Sequence, residues 1–372
     1  MAGFDRGDRG ERGGARGGNR REERARAAAA HTEEQERRFG KEIEASAKAM
    51  LRIDGMPKAE KAPAAPVSVD AAEPAADADA TAPAEDAVLG ASASDGPAAV
   101  EAADVAAELD ASGTASSTEP APKAKAFPTV TVVDQDGVAA ILERGRGRAQ
   151  FCDLAILDFA SFTHPGGGYD RGSMAQEESL CAESFLYNVL SRNKDWYAEN
   201  RRRNINCNLY RERALVVPAV RFARGKTHAY ADVIVAAAPN ADRARSEYNV
   251  KPDALERAMR NRIRFVLSIA DRLGHEKLIL GAYGCGVFGW DPEAVAEMFR
   301  GELAGGDHIA REVVFAIPRV RYNENLAVFK HAFSAFPERP AASFDEAKAA
   351  RDAATAAAAE DGNDEDDWRK YL

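Results

Sequence analysis

Two glycine-rich stretches hold the side chains whose types and spacing could do chemistry. The first runs from Asp158 through Ser161, His164 and Pro165 to Gly166, Gly167 and Gly168. After seven intervening residues come Gln176, Glu177 and Glu178. The second runs Gly281 to Gly289 and contains Gly284, Cys285, Gly286, Val287 and Phe288. Consecutive glycines let backbone amides approach an anion with no side chain in the way. They also accept the positive φ angles that aim successive N–H groups at one point. Two such loops side by side would clamp a diphosphate; taken singly, each also suits an ordinary tight turn. Neither spacing is GxxxxGK[ST] or GxGxxG opening a helix, which argues against a phosphate-transfer P-loop and the usual dinucleotide fold.

Glu177 and Glu178 stand at a helix start, where acidic side chains favour the positive end of the dipole. That alone explains them structurally. General acid catalysis asks for something else, a carboxyl proton held to nearer neutral pH by desolvation or a nearby negative charge. A second carboxylate and a bound diphosphate would supply such a charge. On spacing alone both readings stay open.

The elements that must position these residues follow from the apolar pattern. Strands are expected at Thr129–Val133, Leu154–Phe159, 215–217, 232–237, 277–282 and 313–317, and helices at 135–144, 176–192, Pro252–Leu273, Pro292–Leu303 and 323–336. Short, nearly continuous apolar strands such as LAILDF suit a sheet covered on both faces. Their alternation with helices predicts a three-layer α/β/α fold. Both glycine-rich loops then follow strands, at the carboxyl ends where open α/β sheets bind ligands.

Outside 126–338 the composition changes. Residues 1–126 hold two aromatics, Phe4 and Phe39, whereas 127–338 hold 23 of the chain's 28. Without large apolar side chains a segment cannot offset the entropy of ordering. Residues 1–21 read as a disordered Arg/Gly-rich arm, a segment type that can make weak nucleic-acid contacts. Here Asp5, Asp8 and Glu11 dilute its charge. Residues 22–53 read as a helix with a stripe of Ile43, Ala47, Met50 and Leu51, either docked on the core or solvated. Residues 54–125 read as a disordered Ala/Pro/acidic linker and 339–372 as an acidic disordered tail. The formal charge of -10 resides in linker and tail, since 127–338 carry 28 basic and 27 acidic groups.

No apolar run approaches the ~18 residues of a membrane span, and the Arg-rich start has no hydrophobic secretory segment. Cys152, Cys181, Cys207 and Cys285 show no short metal-ligand spacing, so reduced cysteines in a cytoplasmic protein are expected, with no metal and no cofactor.

PGGG followed after seven residues by QEE, with DFAS just before it, resembles the signature of poly(ADP-ribose) glycohydrolases. GAYGCGVFGWDP resembles their second ligand loop, and YADVIVAAAPN and the segment leading into that loop look like the microbial branch. The resemblance covers roughly 127–338 and implies a macrodomain-like fold with a mixed central sheet, binding ADP-ribose. By position it implies Glu178 as the catalytic acid, Glu177 on ribose hydroxyls, and Gly166, Gly167 and Gly168 around the distal ribose and diphosphate. Gly284, Gly286 and Val287, with Cys285 between them, would present amides to the diphosphate. Phe288 would pack beside the ribose, and Asp158 and Gln176 would lie near the ligand. His164 and Ser161 depart from some branches, and His164 reads as a turn or rim residue. The activity implied is cleavage of ribose–ribose bonds in poly(ADP-ribose), by a monomer acting on the polymer or on ADP-ribosylated protein. A non-catalytic ADP-ribose reader and a mono-ADP-ribosyl hydrolase are the rivals.

Overall fold

The structure is a computed structural model; it describes residues 11–56, 127–306 and 308–364. The chain divides into two units, Met1–Ala71 with Lys125–Leu372, and Ala72–Ala124. All described residues belong to the first. The linker over 57–125 and the first ten residues of the arm lie outside the described residues.

Among the described residues, seven strands and ten α-helices follow in chain order: α1 (Glu11–Ala49), β1 (Leu51–Asp54), β2 (Thr129–Val133), α2 (Gly137–Arg144), β3 (Leu154–Phe159), α3 (Gln176–Ala182), α4 (Leu186–Leu190), α5 (Lys194–Arg203), β4 (Arg213–Arg224), β5 (Thr227–Ala236), α6 (Ala241–Tyr248), α7 (Pro252–Leu273), β6 (Lys277–Leu280), α8 (Pro292–Leu303), β7 (Glu312–Ala316), α9 (Asn325–Ala332) and α10 (Phe344–Asp364). The strands form one mixed sheet in the order β1-β4-β5-β3-β6-β7-β2. β5, β3, β6, β7 and β2 pair parallel, and β4 pairs antiparallel with both β5 and β1.

Alternate strand residues feed two cores, as a pleated strand requires. Ala155, Leu157, Leu278, Leu280, Val313 and Phe315 meet α7, α8 and α9 on one face. Leu154, Ile156, Ile279 and Val314 meet α1 to α5 on the other. This is the three-layer arrangement. The longest helices start and stop where local chemistry directs: Pro252 and Pro292 sit in their first turns, Asp291 caps α8, and Gly274 ends α7 in the left-handed region.

Several elements differ from the sequence expectation, each for a tertiary reason. The helix expected over 176–192 is broken, because Ser184 forms a bridge with Phe222 and Glu183 accepts the Ala223 amide at 2.9 Å. β4 runs past 217 because Pro218 falls at a bulge between Val217 and Val220, a position where a strand tolerates proline. β1 was expected as the end of a helix; its partner, β4, is far away in sequence and pairs Leu51 with Val216. α1 begins at Glu11, inside the segment expected as a disordered arm, and its stripe docks: Ile43 is fully buried and Ala47 and Met50 pack against the core, while Leu51 is exposed. The tail expected to be disordered holds α10, anchored by buried Phe344 against His331.

Candidate active site

β3 and β6 are parallel neighbours, so the loops that follow them emerge side by side. The first leads to α3 on one face of the sheet and the second to α8 on the other. A crevice between such diverging connections is where open α/β sheets place ligands.

The first loop lies directly on the carboxylates that end it. Gly168 donates its amide hydrogen to Glu178 Oε1 at 2.8 Å. Gly166 and Gly167 both adopt positive φ. A Cβ on Gly167 would stand 2.7 Å from Glu178 Oε1 and 2.8 Å from Glu177 Oε2, closer than any real Cβ contact. The glycines are therefore required by a close approach as well as by their dihedrals. Glu177 is the more enclosed of the pair, and its Oε2 accepts the Ser161 amide at 2.6 Å.

Asp158, on β3, completes a group of three carboxyls. It is fully buried, and neither of its oxygens, nor Glu177 Oε1, has a hydrogen-bond partner. Burial, and then the charge of Glu178, push the Asp158 carboxyl well above the usual carboxylate range. Burial, and then the charge of Asp158, do the same to Glu177. Among the described residues no arginine or lysine side chain bonds to any of the three. A ligand presenting hydroxyl groups would satisfy orphaned acceptors of this kind.

Gln176 lies beside them but is committed to the scaffold. Its Oε1 accepts the Phe159 amide at 2.8 Å, and its Nε2 donates to the Leu157 carbonyl at 2.9 Å. Both ends of the amide thus fix the end of the strand that carries Asp158. His164 is at the rim, 2.8 Å from Thr163 Oγ1 through Nδ1. Its pKa is lowered by partial burial and then by Arg171 and Arg201.

The second loop presents backbone. Among the described residues, the amides of Gly284, Gly286, Val287 and Phe288 have no hydrogen-bond acceptor, whereas Cys285 donates its amide to the Ala282 carbonyl. The Cys285 side chain packs into the core, and burial pushes its thiol up to about 12. Cys285 is thus turned away while its neighbours are open. Val287 is 84% exposed. Phe288 packs with Phe162 and Tyr210, whose rings stack at 4.4 Å. Trp290 donates to the Pro239 carbonyl at 2.7 Å and Arg245 to the Gly289 carbonyl at 2.8 Å, pinning the loop to the end of β5 and to α6.

Sequence reasoning missed the bracing. Arg21 and Arg24 of α1 donate to the carbonyls of Arg171 and Gly172, and the Tyr169 hydroxyl lies 2.9 Å from His31 Nδ1. It also missed Arg262, which is buried and donates to the Ala237, Tyr210 and Arg211 carbonyls under the site. A signal existed: Arg262 falls with Met259, Ile263 and Val266 on the apolar stripe of α7.

The model of the microbial-type PARG catalytic domain matches residues 94–225. No curated protein matches the chain. Among solved structures, the chain is similar to a poly(ADP-ribose) glycohydrolase from Deinococcus radiodurans in complex with ADP-ribose. That match has 30% identity over 58% of this chain and 87% of that one, with a TM-score of 0.50. It is also similar to the poly(ADP-ribose) glycohydrolase of Thermomonospora curvata bound to the inhibitor ADP-HPD, at 34% identity over 55% of this chain and 78% of that one, with a TM-score of 0.49. With the two loops, the mixed sheet and 30% identity across most of a solved relative, the chain belongs to the microbial-type poly(ADP-ribose) glycohydrolase family.

Proposed function

We propose that this chain hydrolyses ribose–ribose glycosidic bonds of poly(ADP-ribose) and releases ADP-ribose, with Glu178 as general acid and then general base. The observation that carries this is the seating of the Glu178 carboxylate under a side-chain-free loop, oriented by the Gly168 amide, next to a second loop whose amides are open. The open amides of Gly284, Gly286 and Val287 would hold the diphosphate, and Phe288 would pack against the adjoining ribose. Glu177 and Asp158, with their unpartnered oxygens, would bind ribose hydroxyls.

The glycosidic bond then lies within reach of Glu178. Its proton passes to the departing ribose oxygen as the anomeric carbon gains oxocarbenium character. The resulting carboxylate takes a proton from water, which attacks that carbon, and the acid is restored. The developing positive charge is stabilised by the substrate's own diphosphate, which the loop amides keep near. Glu178→Gln keeps size and removes the transferable proton. It should cut turnover by about 10²–10⁴-fold while ADP-ribose still binds. Near-normal release of ADP-ribose from labelled polymer by that variant would refute the assignment. Binding without release by the unaltered chain would indicate a reader, and release only from singly modified protein a mono-ADP-ribosyl hydrolase.

No described helix is long and apolar enough to cross a membrane. A monomer in the cytoplasm, with the Arg/Gly arm making weak nucleic-acid contacts, completes the reading. Because α1 braces the first loop, the arm is best tested by removing residues 1–10 only. Loss of nucleic-acid binding with hydrolysis kept would separate the two activities.

A further inference from the structure

At the end of the sheet away from the glycine-rich loops, three side chains of metal-ligating type meet. Cys152 stands two residues before β3, Asp232 lies on β5 opposite Ala155, and His275 stands two residues before β6. Cys152 and Asp232 are 80 residues apart, Asp232 and His275 43. No short spacing announces such a set; the sheet creates it, because β5, β3 and β6 are neighbours.

The geometry suits one small cation. Cys152 Sγ is 3.5 Å from Asp232 Oδ1, and His275 Nε2 is 2.9 Å from Asp232 Oδ2. The three donor atoms all lie within 4.8 Å of one another. A tetrahedral ion with bonds of about 2.0–2.3 Å holds such atoms roughly 3.3–3.7 Å apart, so only small side-chain shifts are needed. The Ala219 amide, at the β4 bulge, donates to Asp232 Oδ1 at 2.8 Å and fixes the carboxylate, as outer partners of metal ligands do. A surface depression lined by Arg146, Arg148, Phe151 and Cys152 opens beside the cysteine. One sulfur, one imidazole nitrogen and one carboxylate oxygen favour a borderline-soft ion over magnesium or calcium, which take oxygen ligands.

We propose that Cys152, Asp232 and His275 bind one divalent cation of the zinc type, clipping three central strands together. On binding, the Sγ–H bond of Cys152 breaks, an Sγ–metal bond forms and the proton leaves to solvent. His275 contributes the lone pair of Nε2 in its neutral form. The site lies six residues along β3 from Asp158, about 20 Å for an extended strand, so it acts on stability and not on turnover.

The test uses the untagged full chain, stripped with a chelator and desalted. Added Zn²⁺ should raise its melting temperature, and the rise should vanish in Cys152→Ala and His275→Ala. Added Co²⁺ should give a sulfur-to-cobalt charge-transfer band that persists in Cys207→Ser, which removes the exposed thiol. The same band should disappear in Cys152→Ala. His275→Gln, which keeps a polar side chain of similar size, should change the cobalt ligand-field bands if Cys152→Ala does not fold. No charge-transfer band in the unaltered chain would overturn the proposal. So would a band lost with Cys207 or unmoved by His275→Gln, or equal zinc stabilisation of the unaltered chain and Cys152→Ala.

Discussion

Glu178 Oε1 accepts the amide hydrogen of Gly168 at 2.8 Å, across ten residues of sequence. The glycine run is thereby folded back onto the first turn of the helix it leads into. One consequence is that loop and carboxylate cannot be altered separately.

Gly167→Ala tests this coupling. Its φ of +61° and the 2.7 Å approach of a Cβ to Glu178 Oε1 both oppose any side chain. Left-handed backbone alone costs an L-residue about 1–2 kcal/mol. A lower melting temperature together with a turnover loss comparable to that of Glu178→Gln is expected. Turnover within twofold of the unaltered chain, in a steady-state assay, would mean that the loop can move away without cost.

Gln176 offers a contrast between positioning and contact. Gln176→Glu replaces the N–H₂ group that donates to Leu157 with a second acceptor. Leaving that carbonyl unpaired costs about 1–3 kcal/mol. Thermal melting should register this loss, and turnover should fall because the β3 end carries Asp158. Weaker ADP-ribose binding at unchanged melting temperature would instead indicate a direct ligand contact.

Backbone recognition at the second loop predicts that side-chain truncation is harmless and amide removal is not. Val287→Ala should bind ADP-ribose as the unaltered chain does. Val287→Pro removes one N–H; a hydrogen bond to a charged group is worth about 1.5–3 kcal/mol, so binding should weaken roughly 10- to 150-fold. Calorimetric titration distinguishes the two variants, and equal affinities would remove the amide from the diphosphate site.

Asp158 predicts a pH effect. Burial, then Glu178, raises its pKa in the folded chain. The native state therefore keeps a proton that the unfolded chain releases from about pH 4 upward. The stability tied to that proton is full below the unfolded pKa and is lost as pH rises through the folded one. Asp158→Asn removes the ionisable group at nearly constant shape. Between about pH 5 and 8 its melting temperature should fall less than that of the unaltered chain. Parallel melting curves would place Asp158 in a more polar setting than its burial implies.

The sequence by itself determined the elements whose signals are local. Proline, Asp291 and Gly274 bound α7 and α8 without help from the rest of the chain, and continuous apolar runs marked β3 and β6 because both of their faces are covered. The glycine spacing and the Gln176-Glu177-Glu178 run were legible too, since a close backbone approach admits no other residue. Only the tertiary structure decided what depends on distant partners: β1 on β4, the break at Ser184 on Phe222, the inward turn of Cys285, and the use of Gln176 as a strand clamp. Cys152, Asp232 and His275 became neighbours for the same reason: strand order sets which residues meet, and long-range pairing leaves no mark on local spacing.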